Sequence, residues 1–140
     1  MSGLAYKCGF CSYTVISKSK KEAIIKLAFH YMSNHFDQVV EYLENRPEKR
    51  KYVKRKISEI LSKQRRKYRD IFDRITDTNS LKETLIEIMK IRESTDNIEL
   101  RILLLKALLK AFTYVARLTM KEITKMSNTN KFTFIAKKQT

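Results

Sequence analysis

The chain contains few of the residues that form tight turns. Its 140 residues include 2 glycines and 1 proline, whereas average usage is about 7% Gly and about 5% Pro. Hairpin-rich sheets need these residues in their turns, and a phosphate-cradling loop needs several glycines. This scarcity argues against a strand-rich architecture and against a Gly-rich nucleotide site, and it predicts a mainly α fold.

Histidines and clustered acidic residues are scarce too, which restricts the enzymatic chemistry open to the chain. The 2 histidines are His30 and His35, so a Ser-His-Asp triad would need one of them. Pairs such as Asp70 and Asp73 have helical spacing, which is typical of solvated or salt-bridging side chains. Metal-dependent nucleases need clustered acids, and the most basic region nearly lacks them. We expect no enzymatic activity and no small-molecule substrate.

No stretch of the sequence has the pattern of a secretory signal or a membrane span. Residues 1–4 lead directly into a cysteine pair, and the most apolar run, residues 102–118, is interrupted by Lys106, Lys110 and Arg117. We therefore expect an intracellular protein. A reducing compartment favours a metal-bound cysteine pair over a disulfide.

All the cysteines and histidines lie near the N-terminus, with a spacing typical of a zinc site. The order is Cys8-x2-Cys11 followed by His30-x4-His35, which supplies the four ligands of a tetrahedral zinc ion. Gly9 suits the sharp backbone turn between the two sulfurs. Four protein ligands leave no position for water or substrate. The sequence therefore predicts zinc as a structural cofactor held by these four ligands.

A helix is expected to carry both histidines. Ser19 and Glu22 have the spacing of a capping box, and apolar residues follow at intervals of three and four. His30 and His35 are about 140° apart around an ideal helix, which turns about 100° per residue. They can converge only if the helix tightens or frays near residues 33–34, or if His35 reaches back. The apolar rhythm continues through residues 36–43, so we expect this helix to extend to about Asn45.

Residues 4–36 resemble a two-Cys, two-His zinc finger. Tyr6 lies two residues before the first cysteine, and Val15 and Leu27 stand where the finger has core apolar residues. The resemblance implies a short hairpin, a helix and a zinc-dependent fold. The segment between Cys11 and His30 has 18 residues, longer than the about twelve of the standard pattern. Two alternatives stay open: a redox or disulfide-bonded cysteine pair, and cysteines without a role.

The next segment is strongly basic. The net charge of the chain is +15, and residues 46–69 alone hold twelve basic and two acidic residues. Pro47 at a first helical position predicts a helix over about 47–76, on the order of 45 Å long at about 1.5 Å per residue. The predicted nucleic-acid-binding residues on this helix are Lys49, Arg50, Lys51, Lys54, Arg55, Ser58, Ser62, Lys63, Arg65, Arg66 and Arg69.

We expect this basic helix to bind duplex DNA or RNA through the phosphate backbone, with little sequence specificity. Gln64 is the one amide on it that could read bases. Three alternatives stay open. The basic face could be merely solvated, the chain could be an adaptor for an acidic protein or an anionic membrane surface, or it could be a finger-type transcription regulator. The last would use the lysines near the start of the finger helix: Lys18, Lys20, Lys21 and Lys26.

The sequence after about residue 80 predicts further helices that form a bundle. Ser80 with Glu83, and Asp96 with Glu99, have capping spacing ahead of helices at about 81–92 and 98–126. The second helix is apolar on nearly every side, which predicts a core position and self-association. The expected fold is mainly α: a zinc-finger-like ββα module (1–45), a basic helix with a bundle of long helices (46–127), and an extended tail (128–140).

This combination of a Lys- and Ile-rich helical chain, a basic helix pair and an apolar bundle also resembles, in general style, the nucleocapsid proteins of archaeal filamentous viruses. In that family helical subunits wrap duplex DNA into a filament. The resemblance implies a coating or packaging role and a place in the virion.

Overall fold

The computed structural model describes residues 4–128, with side chains as far as Thr124. It has the predicted mainly α architecture, in which a small hairpin precedes six helices. The elements are β1 (Leu4–Lys7), β2 (Thr14–Ser17), α1 (Lys20–Asn34), α2 (Phe36–Glu44), α3 (Pro47–Ser62), α4 (Arg69–Thr76), α5 (Leu81–Ser94) and α6 (Ile98–Asn128). Within the described residues no helix combines the length and the apolar character needed to cross a membrane.

Contacts group the chain into two compact units, Met1–Val39 with Phe112–Thr140, and Val40–Ala111. The first unit contains the hairpin, α1 and the second part of α6, and the second contains α3, α4, α5 and the first part of α6. The predicted domain limits at residues 45 and 127 stay a prediction. The predicted tail lies outside the described residues, apart from Asn128 at the end of α6.

In the first unit, one face of the hairpin is covered by α1. β1 and β2 are antiparallel, with Tyr6 opposite Val15 and Ala5 opposite Ile16. Val15 and Ser17 are buried while Ile16 is exposed, the alternation expected of strands with one face packed and one face in water. The loop between the strands, residues 8–13, contains both cysteines. We refer to it as the cysteine loop.

Helix α1 begins where its capping signal predicts and ends earlier than expected. The Ser19 side chain accepts a hydrogen bond from the Glu22 N–H. Its buried face consists of Ala23, Ile24, Leu27, Ala28 and Tyr31. At His35 the backbone leaves helical geometry, with φ −133° and ψ 31°, and α2 begins at the next residue. The expectation of one helix running to about residue 45 is therefore wrong. The interruption lies where the histidine spacing required a departure from an ideal helix.

The predicted single basic helix over 47–76 is also wrong, because residues 63–68 form a turn between α3 and α4. Gln64 and Arg65 donate their N–H groups to carbonyls three residues back, which tightens the end of α3. The stretch from 62 to 67 has no buried side chain, so packing cannot support it as helix. Its clustered cations would repel one another at helical spacing.

The caps of the last two helices differ in how well the sequence predicts them. Ser80 accepts from the Glu83 N–H, as predicted. The predicted cap at Asp96 is wrong, because the Asn97 side chain accepts from the Leu100 N–H at 3.1 Å and α6 starts at Ile98. A cap bonds the N–H of the second or third helical residue, and Asn97 has this relation to α6.

Helix α6 buries one long face rather than all of its circumference. The buried residues are Leu100, Leu104, Ala107, Leu108, Ala111, Phe112, Thr113, Val115, Ala116, Thr119 and Met120. Ile98 is 72% exposed and Ile102 is 51% exposed, so the predicted core position holds for the buried face and not for these two side chains. Self-association through this helix stays a prediction.

Candidate metal centre

The four predicted ligands converge at one point of the first unit. One ligand atom from each of Cys8, Cys11, His30 and His35 lies within 4.8 Å of all the others. The Cys11 Sγ is 3.3 Å from the Nε2 atom of each histidine, and the two Nε2 atoms are 3.2 Å apart. This cluster can hold a metal ion.

The three separations among Cys11, His30 and His35 match a tetrahedral metal site. Bonds of about 2.3 Å to sulfur and about 2.0–2.1 Å to nitrogen put S and N ligand atoms about 3.5 Å apart and two N atoms about 3.3 Å apart. Hydrogen bonding alone does not explain the arrangement. Three atoms at the corners of a nearly equilateral triangle cannot all be joined by near-linear bonds, because each imidazole N–H points at one acceptor.

The cysteine loop presents both sulfurs because its backbone is closed by hydrogen bonds. The Cys8 N–H donates to the Tyr13 carbonyl at 2.9 Å. The N–H groups of Phe10 and Tyr13 donate to the sulfurs of Cys8 and Cys11 at 3.3 and 3.4 Å. These three hydrogen bonds hold the loop around the two sulfurs. Both cysteines are free thiols.

The helix interruption brings the second histidine to the cluster. His30 lies in the last turn of α1, and His35 follows the end of the helix. The His35 Nδ1 contacts the Gln38 side-chain oxygen, so this nitrogen is the one that carries the proton and donates. The lone pair of Nε2 then faces the cluster, as a metal-binding histidine requires.

Two further residues support the histidines, and the sequence analysis did not identify them. Gln38 fixes the His35 ring as described, and the Tyr13 ring stacks on His30, with centroids 3.9 Å apart and planes 14° apart. Gln38 follows His35 by three residues, which is the one local signal for its role. The stacking partner has no comparable signal, since Tyr13 and His30 are separated by 17 positions in the sequence.

Burial shifts the pKa of two of the four ligands, Cys8 and His30. Desolvation raises the pKa of Cys8 to about 11, so this thiol keeps its proton at neutral pH unless a cation replaces it. Burial, and then the neighbouring His35, lower the pKa of His30, so its imidazole is neutral and can offer a lone pair. A metal ion therefore displaces a proton from Cys8 when it binds, and acid opposes its binding.

The predicted nucleic-acid-binding residues lie on α3, on the turn after it and at the start of α4. Eight are exposed: Lys51, Lys54, Arg55, Ser62, Lys63, Arg65, Arg66 and Arg69. Three are half-buried: Lys49, Arg50 and Ser58. Some have protein partners. Arg55 pairs with Glu59 at 3.7 Å, Arg50 donates to the Glu44 carbonyl, and the Ser62 hydroxyl donates to the Glu59 carbonyl.

The densest group of exposed cations surrounds the break between α3 and α4. We call Lys63, Arg65, Arg66 and Arg69 the basic turn. Within residues 4–124 none of the four has an acidic partner, although the Arg65 guanidinium lies 4.9 Å from the centre of the Phe72 ring. Lys67, in the same turn, differs because it pairs with Glu99 at 2.7 Å. The cations therefore lie on two helices and on the turn between them rather than on one continuous helix.

No protein-family model, curated protein or solved structure matches this chain. The likeness to a two-Cys, two-His finger therefore depends on the four-ligand cluster and on the order of hairpin and helix. The likeness to viral nucleocapsid proteins gains no support from these comparisons and stays a prediction.

Proposed function

We propose that this chain is a non-enzymatic, zinc-stabilised protein that binds duplex nucleic acid through the phosphate backbone, with little sequence specificity. The observation that carries the proposal is the basic turn, in which four exposed cations within seven residues have no acidic partner in the described chain. Cations left uncompensated on one surface attract a polyanion, and duplex nucleic acid is the most densely charged candidate.

The donor set supports zinc as the metal. Two sulfurs and two imidazole nitrogens are soft or borderline ligands, whereas magnesium and calcium take oxygen. Sites of this composition with four protein ligands are structural, since no coordination position is left for substrate. The role of the ion would be to hold the cysteine loop and the end of α1 together.

Contacts to phosphate fit the exposed side chains better than contacts to bases. Gln64 is the one amide in the turn, whereas Lys51, Lys54 and Arg55 on α3 add to the exposed cations of the basic turn. Arg and Lys neutralise phosphates without reading sequence. The 16 residues of α3 span about 24 Å at about 1.5 Å per residue, enough to follow a stretch of backbone.

The outer face of α1 does not favour a finger that reads bases. Ile25 is 38% exposed and Phe29 is 43% exposed on this face. Of the four lysines predicted for base reading, Lys26 is paired with Glu22 at 3.1 Å, whereas Lys18, Lys20 and Lys21 are exposed near the start of the helix. Apolar and neutralised side chains are poor donors for base edges. This observation favours backbone binding by the basic turn over sequence-specific regulation by the finger helix.

The proposal predicts steep salt dependence and weak sequence dependence. Two labelled duplexes of equal length and unrelated sequence should bind with affinities within about threefold of each other. For both, the logarithm of affinity should fall against the logarithm of salt concentration with a slope of about −4 or steeper, because five or more phosphates are neutralised. Fluorescence anisotropy between about 50 and 200 mM salt measures both quantities.

Anionic phospholipid vesicles are the matched comparison for this titration. If the protein binds the vesicles and does not bind either duplex, it is an adaptor for an anionic surface, contrary to the proposal. A strong preference for one duplex would instead support a finger-type regulator.

A further inference from the structure

We propose that a buried hydrogen-bond chain through Tyr31 and Thr119 fastens the cysteine loop to the second part of α6, so that metal binding and docking of this part of α6 depend on each other. The inference rests on the proposed metal site. It makes Tyr31 and Thr119 positioning residues for the metal, although neither is a ligand.

The hydrogen bonds run in one direction from the loop to the helix. The Gly9 N–H donates to the Tyr31 hydroxyl oxygen at 2.9 Å. The Tyr31 and Thr119 hydroxyl oxygens are 2.7 Å apart. The Thr119 hydroxyl lies 3.1 Å from the carbonyl oxygens of Val115 and Ala116, so it donates to the helix backbone and accepts from Tyr31. Every donor in this series of hydrogen bonds therefore has an acceptor, and successive hydrogen bonds polarise one another.

The hydrogen-bond chain through Tyr31 and Thr119 is buried and lies next to the metal ligands. Tyr31 is 0% exposed and Thr119 is 4% exposed. The Tyr31 ring also contacts the rings of Phe10 and His35, with centroids 5.0 and 6.0 Å away. One side chain thus touches the loop, a ligand and α6.

The loop approaches α6 so closely that Gly9 has no room for a side chain. A Cβ atom there would lie 2.8 Å from the Thr119 Cβ and 3.0 Å from its Cγ2. The φ angle of Gly9 does not lie in the left-handed region, so the sharp turn predicted from sequence is not the reason for glycine. Close contact with Thr119 is the reason.

The coupling follows from these contacts. Cys8 and Cys11 flank Gly9, so a metal ion that fixes the two sulfurs also fixes the surface that meets Thr119. Without the ion the two sulfurs are no longer fixed, and α6 loses part of the surface on which it packs. Reciprocity of linked equilibria then requires that loss of the α6 contact weakens metal binding by the same factor.

The test uses substitutions at Thr119 in the full chain. Thr119→Val keeps the shape and removes the hydroxyl, so zinc affinity, measured by competition with a chromophoric chelator, should fall about tenfold or more, the range for residues that support metal ligands. Thr119→Ser restores the hydroxyl and should recover affinity to within about threefold. Thr124→Val, at an exposed threonine of the same helix, should change nothing.

A second measurement uses the unaltered chain and does not depend on whether a variant folds. Removal of zinc by a chelator should speed amide hydrogen exchange at residues 113–120 and leave exchange in α5 unchanged. The coupling is overturned if the Thr119→Val variant binds zinc with the affinity of the native chain. It is also overturned if the rate of amide hydrogen exchange at residues 113–120 does not change when zinc is removed. A native chain that takes up no zinc would instead overturn the metal site itself, which separates the two failures.

Discussion

Removal of the metal is expected to unfold the hairpin and α1. The ligands come from the cysteine loop, the last turn of α1 and the residue after it, so the ion joins the segments that this small module must hold together. Structural zinc in finger peptides contributes about 10–16 kcal/mol of binding free energy, which is as large as the whole net stability of a domain, about 5–15 kcal/mol. The core formed by β2 and α1 is too small to replace that contribution.

The matched substitutions are Cys11→Ser and Ser12→Ala. Cys11→Ser removes one ligand and should lower stability by at least about 5 kcal/mol, on the order of 10–20 °C in Tm for a chain of this size. Ser12→Ala changes the adjacent residue, whose side chain is exposed, and should shift Tm by no more than about 2 °C. Calorimetry with and without a chelator measures both. A Tm for Cys11→Ser close to that of the native chain would contradict a structural metal.

Neutralisation of the basic turn is expected to abolish most nucleic-acid binding. Replacement of its four cations by glutamine removes up to four phosphate contacts, so the log–log salt slope should become shallower by about 3–4. Affinity at about 100 mM salt should fall by about 10²–10³-fold. The fold should persist because all four side chains are exposed and surface changes are usually within about 0.5 kcal/mol.

A control variant separates the position of the charges from their number. Replacement of four exposed cations elsewhere removes the same charge: Lys90, Lys106, Arg117 and Lys121. This variant should keep the native salt slope to within about one unit and lose less than about tenfold in affinity. An equal loss in the two variants would make net charge responsible and would remove the basic turn from the proposal.

The metal ligands were predictable from sequence because only a few residue types bind zinc and their spacing is characteristic. Two cysteines and two histidines at these spacings indicate one ion whatever the surrounding fold. The histidine spacing also predicted a departure from ideal helix near residues 33–34, and the structure has it at His35. The contact of Gly9 and Tyr31 with Thr119 was not predictable, because Thr119 lies 88 positions beyond Tyr31 in sequence.

The break between α3 and α4 was not predicted, because the apolar residues keep their helical spacing across it. Leu61 and Tyr68 are seven residues apart, so the apolar stripe keeps its helical phase across the turn. The signal against a continuous helix was the absence of any apolar residue over 62–67, combined with clustered like charges. In α6 the apolar pattern predicted a core position, which Leu104, Leu108 and Phe112 occupy, whereas Ile102 is exposed.

Zinc K-edge X-ray absorption on the protein purified without added metal tests the central claim most directly. We expect one zinc ion per chain with two sulfur neighbours at about 2.3 Å and two nitrogen neighbours at about 2.0–2.1 Å. A coordination shell of oxygen and nitrogen without sulfur, or a protein that contains no stoichiometric zinc, would contradict it.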